Sequence, residues 1–90
     1  MGSYIVIKNT EKAMSDLKRI YDKHFKINKD QFRNDFGNIN TFDEIFEIYN
    51  KKQNTLILKI GVMYEEFYTK EFRDDVKSYI EKNNLKMGEY

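Results

Sequence analysis

The chain has no cysteine, which removes disulfides, thiolate metal sites and cysteine nucleophiles together. It has no proline and no tryptophan, and its single histidine excludes imidazole clusters for a metal or for two-histidine chemistry. No apolar run approaches the roughly 20 residues of a membrane-spanning helix, and no signal-peptide pattern precedes the first apolar segment. The expectation is a cytoplasmic protein without a membrane anchor. A dominant charge is missing too: 16 Lys and Arg stand against 15 Asp and Glu, a formal net charge of +1. That balance argues against a polybasic nucleic-acid arm and against an acidic solvating chain. What the sequence does hold is aromatic weight. Seven Phe and seven Tyr among 90 residues supply one modest core and argue against disorder.

Gly2-Ser3 after Met1 reads as a cloning scar and a disordered start, which leaves residues 4–90 as a single domain. Tyr4-Ile5-Val6-Ile7 is a short β-branched run suited to a strand buried on both faces. Thr10 is placed to cap a helix from Glu11 to about Phe25, because Ala13, Met14, Leu17, Ile20, Tyr21, His24 and Phe25 recur at helical spacing. Phe32 and Phe36 fit a short buried helix around Lys29–Asp35, and Gly37-Asn38 reads as a turn. Thr41 stands three residues before Glu44, the spacing of a capping box, so a second helix is predicted from Phe42 to about Asn50. Gln53-Asn54 then turns the chain into a strand over Thr55–Ile60, which Gly61 ends. A helical turn over Tyr64–Tyr68 and a last helix capped by Thr69 follow, with Phe72, Val76, Tyr79 and Ile80 inward. Leu85–Tyr90 is a frayed end or a weak edge strand. Strands separated by helices predict an α/β fold: a small parallel sheet of two or three strands under a single layer of three to four helices.

Charge is unevenly spread. Residues 1–34 carry +4, residues 35–50 carry −4 with no base at all, residues 51–64 carry +3 and residues 65–90 carry −2. The second predicted helix is thus the wholly acidic segment. At about 100° per residue, Phe42, Ile45 and Tyr49 form an apolar stripe, Asp43, Glu47 and Asn50 fall on another side, and Phe46 lies between. Such a ridge suits docking against a basic groove, with charge steering the encounter and a ring anchoring it. It also suits an ordinary solvated face, since acids in a first turn favour the helix dipole.

Other constellations fail. Glu65-Glu66 and Asp74-Asp75 are sequence neighbours, which diverge on a helix and do not form an acid–base couple. His24 falls on the apolar side of its helix with no serine partner. The acids and amides around Gly37 miss the calcium-loop pattern, because Phe32 falls where the first ligand is required. There is no phosphate loop and no nucleophile elbow. The bases of residues 8–33 invite a phosphate-binding reading, but Asp16, Asp22 and Asp30 interrupt them.

The pieces Ile5-Val6-Ile7, Ser15-Asp16-Leu17, Phe36-Gly37, Phe42-Asp43-Glu44-Ile45-Phe46-Glu47 and Leu56-Ile57-Leu58 stand in an order that resembles the barstar family of small ribonuclease inhibitors, over about residues 4–60. That family's inhibitory helix carries an acid, an aromatic residue three positions on, and another acid. Asp43, Phe46 and Glu47 occupy those places. The chain departs from the family in its longer loop after the first helix, its balanced charge and its less apolar tail. The resemblance implies a non-catalytic inhibitor, of immunity or anti-defence type, that needs no cofactor or metal. It would block a nucleic-acid-processing enzyme by docking an acidic helix into its basic cleft. With the loop before that helix, the partner-binding residues are Asn38, Asn40, Asp43, Phe46, Glu47 and Asn50. The alternatives are a phage or mobile-element accessory protein binding nucleic acid through the basic first helix, and a small dimeric regulatory or scaffold module. A monomer or weak homodimer is expected. No acid, base and oxyanion site assembles from these residues, so catalysis is not expected.

Overall fold

A computed structural model describes residues 4–50, 55–59 and 68–89. The expected start at residues 1–3, the turn at Gln53-Asn54, the end of the strand at Gly61, Glu65-Glu66 and most of the helical turn over 64–68 lie outside the described residues.

Strand β1 (Tyr4–Lys8) opens the fold, and Ile5, Val6 and Ile7 are all buried, as a continuous β-branched run implies. Helix α1 (Glu11–Ile27) begins at Thr10, whose Oγ1 accepts a hydrogen bond from the Ala13 amide at 3.0 Å. Its buried stripe is Ala13, Leu17, Tyr21 and His24. A single 3-10 turn follows at Lys29–Phe32, shorter than the expected helix. It buries Phe32 completely. Phe36, expected to bury with it, is instead 88% exposed.

The helix predicted from Phe42 to about Asn50 ends after one turn. Helix α2 covers Phe42–Ile45 alone, and the chain then becomes strand β2 (Phe46–Asn50). The capping box forms as read: Glu44 Oε1 accepts from the Thr41 amide at 3.2 Å, and the Glu44 amide donates to Thr41 Oγ1 at 3.4 Å. One capped turn does not pay for nucleating a helix. Phe46-Glu47-Ile48-Tyr49-Asn50 is rich in aromatic and β-branched residues, and it pairs with a neighbouring strand instead. Strand β3 (Thr55–Lys59), helix α3 (Lys70–Lys82, capped by Thr69) and strand β4 (Lys86–Glu89) complete the order.

Among the described residues the sheet has four strands in the order β2-β3-β1-β4, and every neighbouring pair is antiparallel. The expected parallel sheet of two or three strands does not form. The reason is β2. β2 and β3 pair antiparallel, so β3 runs against β1 where a helix before it would have delivered it parallel. A crossover through α1 does link two strands of like direction, β1 and β2, but β3 sits between them. The second crossover, through α3, likewise links β3 to β4 with β1 between. Setting the one-turn α2 aside, the described elements follow the split β-α-β-β-α-β order called ferredoxin-like.

α1 and α3 pack on one face of the sheet, since Leu17 of α1 and Phe72, Val76 and Ile80 of α3 share a core with Ile5 and Ile7 of β1. Lys23 Nζ lies 3.6 Å from Asp75 Oδ2, and two shorter polar links also join the helices on that face. Tyr79 Oη donates to Asp16 Oδ2 at 2.6 Å, and His24 Nε2 lies 2.6 Å from Asp75 Oδ2. No helix among the described residues is long and apolar enough to cross a membrane.

Candidate functional site

The six residues singled out in the sequence are not one surface. Asp43 is exposed on α2 and Glu47 is exposed on β2, while Phe46 is 2% exposed and packs on Phe42 with ring centroids 4.7 Å apart. Phe46 is therefore a core residue and not a docking anchor. Asn50 pairs through its backbone with Thr55. Asn38 is exposed and Asn40 half-buried, and both hold the loop before α2 in shape.

That loop is held by a dense set of hydrogen bonds. Asn34 Oδ1 accepts from the amides of Phe36 and Asn38, at 3.0 and 3.1 Å. The Asn34 amide donates to the Asn38 carbonyl at 2.8 Å, and the Gly37 amide to the Asn34 carbonyl at 3.0 Å. Arg33 clamps the outside, donating to the Gly37 carbonyl at 2.6 Å and to Asp30 Oδ1 at 2.7 Å. At the base, the Asn40 amide donates to the Phe32 carbonyl, and Tyr21 Oη to the Asn40 carbonyl, each at 2.7 Å. Gly37 has φ +82°, a left-handed conformation that glycine adopts without steric cost. The apex of this frame carries Asp35 and the exposed Phe36 ring. A ring left in water by a hydrogen-bonded loop is an apolar surface available for contact.

The aspartates divide into two sets. Asp16, Asp22, Asp30, Asp74 and Asp75 all face cations of this chain. Hydrogen bonding from Tyr79 holds the Asp16 carboxyl below its ordinary range, from Arg33 that of Asp30, and from His24 that of Asp75. Asp35 and Asp43 make no hydrogen bond or ion pair among the described residues. Lys12 and Arg19 of α1 face Asp16, Lys18 faces Asp22 and Lys23 faces Asp75 of α3, all in solvent-exposed ion pairs.

His24 does no acid–base work visible in this arrangement. It is buried, edge-on to Phe72 at 5.6 Å, and committed to Asp75. Beside it lies a cleft of about 450 Å³ lined by Lys23, Gln31, Thr69 and Asp75 among others. Gln31 is satisfied there: its Oε1 accepts from the Thr69 amide and hydroxyl, and its Nε2 donates to the His24 and Asn28 carbonyls. Its role is to tie the 3-10 turn to the start of α3.

Phe36 and Asp35 were missed because periodicity assigned the ring to a core. The signal that marks them is local: Asn34, Gly37 and Asn38 bracket a single aromatic residue with the chemistry of a tight loop. Compared with known proteins, the chain matches no protein-family model, no curated protein and no solved structure.

Proposed function

We propose that this chain is a non-catalytic protein-binding inhibitor, of immunity or anti-defence type, acting in the cytoplasm on a nucleic-acid-processing enzyme. The observation that carries the reading is the stapled loop with Phe36 exposed at its apex and Asp35 beside it. Enzymes that hold phosphate backbones have basic clefts, and carboxylates on a rigid frame imitate the substrate's charge. In this mechanism Phe36 fills an apolar notch, while Asp35 and Asp43 meet Arg or Lys of the cleft.

The docking element is thus the loop and the one-turn helix behind it, in place of a long acidic helix. The likeness to barstar-type inhibitors supports this reading through Asp43 and Glu47, which are exposed. It does not extend to the aromatic position between them. The test is affinity capture from the native host with identification of the retained proteins, run in parallel with the native chain, Phe36→Ser and Asp43→Lys. A nuclease or nuclease complex retained by the native chain and lost from both variants supports the reading. Equal retention by all three, or capture of no such enzyme, ends it.

A further inference from the structure

A groove adjoins the Phe36 loop, and the chain's own lysine shows what it binds. The groove measures about 400 Å³ and is walled by Tyr21, Phe25, Ile39 and Phe42, with Lys18 and Asp22 at its rim. Ile39 bridges to Arg33, the residue at the base of the loop. The Tyr21 ring stands 5.7 Å from Phe25 and 6.0 Å from Phe42, tilted by 35° and 58°. Lys18 Nζ lies over Tyr21 at 5.6 Å and over Phe42 at 5.7 Å, within cation–π reach of both, and 3.4 Å from Asp22 Oδ1. Ring faces below and a carboxylate beside are what a cation needs. Lys18 holds the place weakly: its side chain is 54% exposed, and an exposed lysine–carboxylate pair contributes little beyond what water supplies.

The charges around the groove favour a cation from outside. Lys18 and Asp22 offset one another on the α1 wall. The facing wall belongs to residues 35–50, which carry Asp35, Asp43, Glu44 and Glu47 and no base. The field at the ring reflects this, since burial and then the charges of Asp22 and Glu44 push the Tyr21 phenol up. A guanidinium answers this chemistry better than an ammonium. It is planar, stacks on ring faces, is more weakly hydrated and grips a carboxylate through paired N–H groups. We infer that the groove is a guanidinium socket: an arginine on the basic surface of a partner protein enters it, displaces the Lys18 ammonium, stacks on the rings and pairs with Asp22. The partner's charge rests on the inhibitor reading above, and the socket adds to that reading a second contact beside Phe36. Lys18 loses only an exposed pair on displacement, and its flexible stem carries the ammonium into water.

Titration of the isotope-labelled full chain with N-acetylargininamide at low salt, followed by NMR, tests the socket with no enzyme present. The ring resonances of Tyr21, Phe25 and Phe42 should shift together and saturate in the millimolar range. N-acetylnorleucinamide, a neutral probe of similar length, should bind at least about fivefold more weakly. Lys18→Met should tighten binding of the arginine probe about threefold, because it vacates the rings and removes a like charge. Asp22→Asn and Phe25→Leu should each loosen it about threefold, with circular dichroism unchanged. Absence of shifts at the rings, equal affinity for the neutral probe, or a Lys18→Met chain that binds no more tightly than the native one overturns the inference. The socket and the inhibitor reading fail separately. Probe binding with no nuclease captured removes the proposed function and leaves the socket. A nuclease captured equally by the native chain, Asp22→Asn and Phe25→Leu removes the socket from the docking surface and leaves the function.

Discussion

The helix pair and the loop before α2 spend the same kinds of residue in opposite ways. Between α1 and α3, carboxylates meet cations or hydroxyls of the same chain and rings point into a shared core. In the loop, a carboxylate and a ring of the same types stand outward, while the backbone behind them is tied down by amides and by Arg33. The first arrangement satisfies most of its aspartates and buries most of its rings within the chain. The second gains nothing for folding from its most apolar atoms. Exposed apolar area on a rigid frame is a feature to be explained by contact with something else. Phe32 is the joint between the two regions. It packs edge-on to Phe72 of α3 at 5.0 Å and against Tyr21 of α1 at 4.6 Å, and its carbonyl receives the Asn40 amide.

The largest expected effect breaks the comparison at that joint. Phe32→Ala should cost about 3–5 kcal/mol by removing a fully buried ring, a large share of the total stability of a domain this size. Urea denaturation measures it, and hydrogen exchange should show the Asn34–Asn40 amides losing protection with the helices. A loss under about 1 kcal/mol would mean that the loop is anchored elsewhere. Gly37→Ala comes next. No heavy atom lies within 4 Å of the added Cβ, so the cost is backbone strain alone, about 1–2 kcal/mol at a left-handed φ. The expected signature is local: faster exchange at the Phe36 and Asn38 amides, with α1 and α3 unaffected.

Much of the fold is legible in the sequence where a single signal decides. Thr10, Thr41 and Thr69 each cap the helix they were read to cap, and the stripes of α1 and α3 bury as their spacing requires. The failure sits at Phe46. Phe42, Ile45 and Tyr49 satisfy a helical period, while Phe46 and Ile48 satisfy alternation, and local pattern cannot choose between them. Pairing with β3 makes the choice, and that is a contact between segments. The error propagates: one unrecognised strand turns an antiparallel sheet into a parallel one and places a core ring on a docking surface. The site was legible only as charge. The all-acidic stretch over residues 35–50 contains Asp35 and Asp43, but nothing in its composition says which ring beside it faces water.

The helix side of the comparison is sharpened by pH. Hydrogen bonding from His24 lowers the folded pKa of Asp75, and those of Asp16 and Asp30 move the same way. Groups with depressed pKa values contribute stability that is present above their unfolded values, near 4, and is lost as pH falls through the folded ones. Tyr79 is pushed up to about 12, first by burial and then by its bond to Asp16. Its contribution is present below pH 10 and is lost as pH rises toward 12. Thermal melting from pH 2 to pH 12 should therefore show a plateau with two falling limbs. Asp75→Asn should flatten part of the acid limb, costing under about 1 kcal/mol on the plateau because the pair is partly solvated. Tyr79→Phe should flatten the alkaline limb. An alkaline limb unchanged in Tyr79→Phe would show that the Tyr79–Asp16 link does not join the helices in solution.

The smallest expected effect on stability bears most on function. In Phe36→Ser the ring is removed from a site where it touches mainly water, so unfolding free energy should stay within about 0.5 kcal/mol of the native chain. The loop's hydrogen bonds run through backbone groups of residue 36 and side chains of Asn34 and Arg33, none of which the substitution alters. Association with the enzyme, by contrast, should be lost, because a central aromatic anchor commonly carries about 2 kcal/mol or more of binding energy, about a thirtyfold change. Denaturation and binding measured on one preparation separate the two quantities. If Phe36→Ser instead destabilised the fold by more than about 1 kcal/mol, the ring would be packed in solution, and the division between a self-satisfied helix pair and an outward-facing loop would fall with it.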